Sequence, residues 1–169
     1  MSKFQITREI GIDAGHRVTY HHSKCRSLHG HRYTIQATVE GDLAESGSTE
    51  GMAGGMDFGF LKDEMMNEID APCDHALILW REDPLLDVFV PPILVSGIIS
   101  NKSAYVALQD KDTCCGKMYV IDTVPTAENL AAHWAARLAP AVSRRTDGKA
   151  KLVKLTVWET PNCKAEVTL

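Results

Sequence analysis

The sequence predicts an α+β protein built on a mainly antiparallel sheet. Two observations carry that expectation: period-two stretches lie towards both ends of the chain, and two stretches of helical spacing fall between them. The resulting order is strand, strand, helix, an irregular insertion, helix, strand, strand. At 169 residues the chain is expected to form one domain, 1–169, with the insertion at about 81–118.

Residues 4–18 carry Phe4, Ile6, Ile10, Ile12, Ala14 and His16 on one parity, the pattern of a strand. Residues 21–27 read as a polar loop. Residues 31–40 alternate Tyr33, Ile35, Ala37 and Val39 with Arg32, Thr34, Gln36, Thr38 and Glu40, a strand with one wet face. Residues 41–55 form a Gly/Ser/Glu-rich connection. Asp57 is a candidate N-cap for a helix that places Phe58, Leu61, Met65 and Ile69 on one face. Residues 70–79 read as a loop ending in a short apolar run. From about 81 to 118, Pro84, Pro91, Pro92, Gly97 and Gly116 interrupt any long element. Within that stretch Tyr105-Val106-Ala107-Leu108 and Lys117-Met118-Tyr119-Val120 suit a hairpin. Thr126 caps a helix over 126–138 with Leu130, Trp134, Ala135 and Leu138 inward. Residues 151–159 and 164–169 complete the strands, the last at an edge.

Composition narrows the function. Apolar residues make up 44% and charged residues 24%, which excludes wholesale disorder. A net charge of −4 and a pI near 5.9 argue against a general nucleic-acid binder. No apolar run is long enough to span a membrane and no secretory leader opens the chain, so the expected location is cytoplasmic. Five cysteines without a C-x-x-C motif make structural disulfides unexpected in that compartment.

The strongest chemical signal is Cys25-Arg26-Ser27-Leu28-His29-Gly30-His31. Residues two apart on a strand share a face, so His29 and His31 project together. An antiparallel partner would bring His16, at the preceding strand's end, alongside them. Three imidazoles with an open fourth position are the ligand set of catalytic zinc. His21 and His22, in the loop between, rank lower as ligands. Cys25, flanked by Lys24 and Arg26, is a candidate base or nucleophile, against the commoner role of a packing thiol. Asp74-His75 offers an activated thiol an imidazole with a carboxylate beside it. Glu159, at the end of a strand, is either an edge charge or a planar acceptor for a ring presenting two adjacent N–H groups.

Together these residues resemble the 6-pyruvoyltetrahydropterin synthase / 6-carboxytetrahydropterin synthase family. The resemblance runs in order through Ala14-Gly15-His16-Arg17, Cys25-x-x-x-His29-Gly30-His31, Asp57-Phe58, Asp74-His75, Pro125-Thr126-Ala127-Glu128-Asn129-Leu130-Ala131 and Glu159-Thr160. It implies the tunnelling fold, a four-stranded antiparallel sheet with two helices, here with an inserted segment near 81–118. It also implies Zn2+ on His16, His29 and His31, Cys25 as catalytic thiol with Asp74 and His75 as relay partners, and Glu159 as anchor of the pterin ring. The short gap between Cys25 and His29 is that of the 6-carboxytetrahydropterin branch. The activity implied is conversion of 7,8-dihydroneopterin triphosphate to 6-carboxy-5,6,7,8-tetrahydropterin with loss of acetaldehyde and triphosphate, on the way to queuosine. The partner implied is this pterin triphosphate, with no nucleic acid or membrane, in a homo-oligomer (trimer or hexamer) whose active sites form between subunits.

Arg17, Lys24, Arg26 and Arg32 are candidates for holding the triphosphate. Three rival readings remain: a 6-pyruvoyl-type triphosphate elimination, a non-catalytic zinc-binding module, and a metal-independent thiol hydrolase using Cys25, His75 and Asp74.

Overall fold

In a computed structural model, residues 3–45, 51–52 and 56–169 are described. The chain begins with two long strands, β1 (Lys3–His16) and β2 (His29–Asp42), paired antiparallel along their whole length. Their inward parity carries Ile10, Ile12, Ala14 and His16 on β1 and Tyr33, Ile35, Ala37 and Val39 on β2, so the buried face is continuous across both. Much of the glycine-rich connection at 41–55 lies outside the described residues, although β2 itself continues through Asp42.

Asp57 caps α1 (Phe58–Met65), its carboxylate accepting from the Phe60 N–H at 2.6 Å. The helix widens into a π turn (Met66–Asp70) and closes with α2 (Ala71–Cys73), which delivers the chain to Asp74. Leu61, Met65 and Ile69 face the core as expected. Phe58 does not: it is 57% exposed and Phe60 is buried instead, because the first helical position projects away from the sheet.

The expected four-stranded antiparallel sheet needs correction. The sheet has seven strands in the order β4-β5-β3-β1-β2-β6-β7 and is mixed. The apolar run read as the end of a loop is β3 (Leu77–Trp80), parallel to β1. From the insertion, β5 (Met118–Ile121) adds parallel to β3, and β4 (Tyr105–Leu108) pairs antiparallel with β5 as the expected hairpin. The four antiparallel strands survive as β1, β2, β6 (Ala150–Thr160) and β7 (Cys163–Thr168), with β7 at the edge. The free side of β1 supplies the reason for the extension. Its unpaired backbone groups accept any strand returning nearby, and Leu-Ile-Leu beside Tyr-Val-Ile provides two such strands, buried on both faces.

Two further helices of the insertion, α3 (Leu86–Phe89) and α4 (Pro92–Ser100), enclose a second small core around Leu79, Leu86, Val95, Ile98 and Val120. Buried Arg81 fastens this unit through Asp122 (2.6 Å) and the carbonyls of Ile98, Asn101 and Ser103.

The helix expected over 126–138 runs further, as α5 (Ala127–Arg145), passing through Pro140 because Ala141 and Val142 still pack on the sheet. The helix packs on β6 and β7, and Trp134 meets Tyr33 of β2 edge-on in the main core. No helix among the described residues is long and apolar enough to cross a membrane.

Candidate active site

The β1–β2 register sets His16 directly opposite His29 and Ala14 opposite His31. All three imidazoles therefore sit at one end of the buried sheet face. Each offers a ring nitrogen, and these ligand atoms lie within 4.8 Å of one another. A Cβ on Gly30 would meet the Ala14 carbonyl oxygen at 3.0 Å, so glycine is what lets the two strands approach here.

Hydrogen bonds fix which nitrogen each ring presents. His16 donates Nδ1–H to the Pro125 carbonyl (2.8 Å) and His29 donates Nδ1–H to the Ser27 carbonyl (2.7 Å). A carbonyl only accepts, so both Nε2 atoms carry lone pairs, the tautomer of metal-ligating histidines. Burial lowers the His16 pKa to about 4, and burial likewise lowers that of His31 despite the opposing Glu159 charge. Both rings are thus neutral near pH 7, as ligation requires. His16 Nε2 is buried with no hydrogen-bond partner. An orphaned buried acceptor is costly, and a cation held jointly with His29 and His31 would satisfy it.

Glu159 approaches the cluster from β6. One carboxylate oxygen lies 3.4 Å from His16 Nε2 and 3.7 Å from His31 Nε2. The β6–β7 register shifts between Trp158 and Thr160, and such an irregularity re-aims the intervening side chain. Glu159 lines a cleft of about 140 Å³ with His16, Val18, Cys25, Thr126, Ala127, Glu128, Cys163 and Lys164. Cys25 reaches it from a single 3₁₀ turn (Lys24–Arg26).

Asp74 and His75 form a built dyad. His75 Nδ1–H donates to Asp74 Oδ2 at 2.7 Å, and Asp74 Oδ1 accepts from the Asp13 N–H at 2.9 Å. His75 has a φ of +58°, unusual for a non-glycine residue, and its side chain is 78% exposed. The dyad does not share the Cys25 cleft. His75 borders a different depression, of about 510 Å³, with Asp13, Gly30, His31 and Arg32. The histidine cluster lies between the two, His16 facing one and His31 the other.

The 6-pyruvoyl tetrahydropterin synthase family matches residues 5–169, nearly the entire chain. The chain belongs to this family. Among its relatives, the 6-carboxy-5,6,7,8-tetrahydropterin synthase of Rickettsia conorii is 32% identical over 164 residues, covering 96% of this chain and 99% of the relative. The enzyme of the same name from Aquifex aeolicus is 29% identical over 182 residues, covering 97% of each. Of solved structures, an uncharacterised protein from Wolinella succinogenes superposes with a TM-score of 0.72 at 23% identity, over 99% of both chains. Caenorhabditis elegans 6-pyruvoyl tetrahydropterin synthase gives 0.61 at 21% identity, over 100% of this chain and 97% of that one. The two structures share its α+β tunnelling fold. As a family member, the chain is a tetrahydropterin synthase-type lyase.

Within this lyase the structure brings His16, His29, His31, Cys25 and Glu159 to one end of the sheet and leaves Asp74 and His75 on the far side of the histidines. The sequence gives Glu128 no role and Thr126 only that of a helix cap, though both fall in a motif that carries the family resemblance and both line the cleft. Cys163 and Lys164 had no signal at all, because only the β6–β7 turn returns them to the cleft. The triphosphate candidates divide. Arg17 is ion-paired with buried Asp83 and Arg32 with Asp13, while Lys24 and Arg26 make no ion pair among the described residues.

Proposed function

We propose that this lyase converts 7,8-dihydroneopterin triphosphate and water to 6-carboxy-5,6,7,8-tetrahydropterin, acetaldehyde and triphosphate. The observation that carries the reading is the meeting of Cys25, Glu159 and the His16 end of the histidine cluster in one cleft. His16, His29 and His31 would hold a zinc ion through three neutral nitrogens. Bound there, zinc would supply Lewis-acid polarisation of the substrate's side-chain hydroxyls.

The chain's own residues then divide the work. Glu159 accepts from the pterin N3–H and 2-amino group, so the ring is held by a planar carboxylate at the floor of the cleft. Glu128, on the same wall, is a second acceptor for the ring or side chain. Cys25, as thiolate, takes a proton from the side-chain carbon. Asp74 holds the His75 Nδ1–H, which leaves Nε2 as the atom that receives or returns a proton. Electrons released at the side chain reduce the dihydropterin ring, so the redox change is internal.

One chain presents Cys25 and the Asp74–His75 dyad in separate depressions. The complete site is therefore proposed to form in a homo-oligomer, the dyad of one copy serving the thiol of another. Mixing inactive Cys25→Ala and His75→Ala proteins under conditions of subunit exchange should restore turnover; no recovery would reject the shared site. Incubation of the metal-loaded protein with 7,8-dihydroneopterin triphosphate, with products identified by mass, tests the reaction itself. A 6-pyruvoyl product would reject the carboxy branch, and absence of any product with full metal occupancy would favour a structural metal site.

A further inference from the structure

The connection between β1 and β2, residues 17–28, carries Cys25 but has little to hold it. Residues 20–24 and 26–28 are exposed, Leu28 and Tyr20 among them. Its internal bonds are local: Val18 N–H to the Cys25 carbonyl at 2.8 Å, His21 N–H to the Val18 carbonyl at 3.1 Å, and turns around Ser23 and Lys24. Among the described residues, the side-chain bonds that tie it to a distant element all run to Asp83.

Asp83 stands where the chain leaves β3 for the insertion, with its side chain fully buried. The carboxylate accepts from Arg17 Nε (2.8 Å), Arg17 Nη2, the Thr19 hydroxyl and the Leu85 N–H (2.8 Å). All four lone-pair directions are thereby occupied, and the Arg17 contact is the bidentate fork that fixes orientation as well as distance. Burial pushes the Asp83 carboxyl up, but the bonds from Arg17, Thr19 and Leu85 outweigh it and leave the group lowered and ionised. Asp83 is itself anchored, its N–H donating to the Trp80 carbonyl at 2.9 Å and its carbonyl accepting from Leu86 N–H at 3.0 Å. Trp80 closes β3, which is paired to β1 at Gly15 and His16.

We infer that Asp83 is a positioning residue for Cys25. It clamps Arg17 and Thr19, which flank Val18, and the Val18 N–H in turn holds the Cys25 carbonyl, keeping the thiol on the wall of the cleft. The catalytic part of this inference rests on the reading of Cys25 as the proton acceptor. One consequence follows for Arg17: its guanidinium is oriented by Asp83 through Nε and Nη2.

The test uses the full-length, metal-loaded protein and three variants: Asp83→Asn, Thr19→Val and Cys25→Ala. Asp83→Asn sets an N–H donor against the donors of Arg17 or Thr19; Thr19→Val removes one bond at nearly constant shape and serves if Asp83→Asn does not fold. Amide hydrogen exchange over 17–28 should rise ~10-fold or more in Asp83→Asn, and less in Thr19→Val, while peptides of β2 and α5 keep parental exchange. Metal content should be unchanged. Turnover (kcat) should fall roughly 10- to 100-fold with KM moved less than about 3-fold, as expected when a reacting group is displaced by about an ångström. Parental exchange over 17–28, or an equal rise throughout the molecule, would overturn the inference, the second result making Asp83 a general stability residue. Parental turnover in Cys25→Ala would instead overturn the catalytic reading of the thiol, and exchange over 17–28 would still decide whether Asp83 holds the connection.

Discussion

Cys25 is where catalysis and structure separate most cleanly. It is half-buried, it lines the cleft with Glu159 and His16, and no core residue depends on it. Cys25→Ala should keep the fold, metal and pterin binding while turnover falls by roughly two to four decades, the range of a positioned base. Peptide mapping after alkylation supplies the control: burial pushes the Cys73 thiol up to about 12 and it should stay unlabelled, whereas Cys163 borders the same cleft as Cys25 and should be shielded together with it by bound pterin. Near-parental turnover in Cys25→Ala would make the thiol a packing group. Glu159 is a second residue with a distinct signature. Its proposed pairing with the ring is charge-assisted, so Glu159→Gln should weaken binding of a free pterin by ~1.5–3 kcal/mol, or roughly one to two decades. Equal affinity in a fluorescence titration would show that the carboxylate serves only the histidines it approaches at 3.4 and 3.7 Å.

At the scale of elements, the β1–β2 ribbon builds the histidine cluster. Its antiparallel register, unbroken from Lys3↔Asp42 to His16↔His29, places the three imidazoles. A two-residue spacing puts His29 and His31 on one face, but only the pairing brings His16 to them. Gly30→Ala tests this element directly, since the added methyl would press on the Ala14 carbonyl across the ribbon. Strand separation there should cost about 1–3 kcal/mol in denaturant unfolding, and metal affinity should fall with it. Unchanged stability and metal affinity would mean that the strands have room to spare. Strand β6 contributes by irregularity. A register shift opposite Thr38/Val39 leaves Val153 without a partner on β2, so Leu152 and Leu155 both face inward despite their odd spacing, and a second shift opposite β7 aims Glu159. Simple alternation over 151–159 did not contain either shift.

For the whole molecule, the histidine cluster and the core are separate assets. Ile12, Ile35, Leu61, Trp134 and Leu155 are fully buried against one another and other apolar side chains of the main core, not against the three imidazoles alone. Stripping the metal with a chelator should therefore abolish turnover yet leave a cooperative unfolding transition. A ligand bound at 100 to 1,000 times its Kd adds ~2.7–4.1 kcal/mol, which for a chain of this size amounts to a fall in Tm of roughly 5–15 °C on removal. Loss of the far-UV circular dichroism signal at ambient temperature after chelation would favour the structural-metal reading. The insertion belongs to this scale as well. It extends the sheet by β4 and β5, closes its own small core, and joins the β1–β2 connection through Asp83 near its start.

By itself the sequence determined the local facts: period two for β1, β2, β6 and β7, the caps at Asp57 and Thr126, the Tyr105–Leu108 hairpin, and the spacing of His29 and His31. These are legible because each depends on neighbours a few residues apart. The resemblance of its ordered motifs to the tetrahydropterin synthases added the family, which the match over residues 5–169 shows. The tertiary structure alone decided what distant residues do to one another. It paired β3 with β1 and made the sheet seven-stranded, returned Cys163 and Lys164 to the cleft, set Asp74–His75 apart from Cys25, and spent Arg17 on Asp83. None of these leaves a mark in local periodicity, because a strand edge or a buried carboxylate is indifferent to how far along the chain its partner lies.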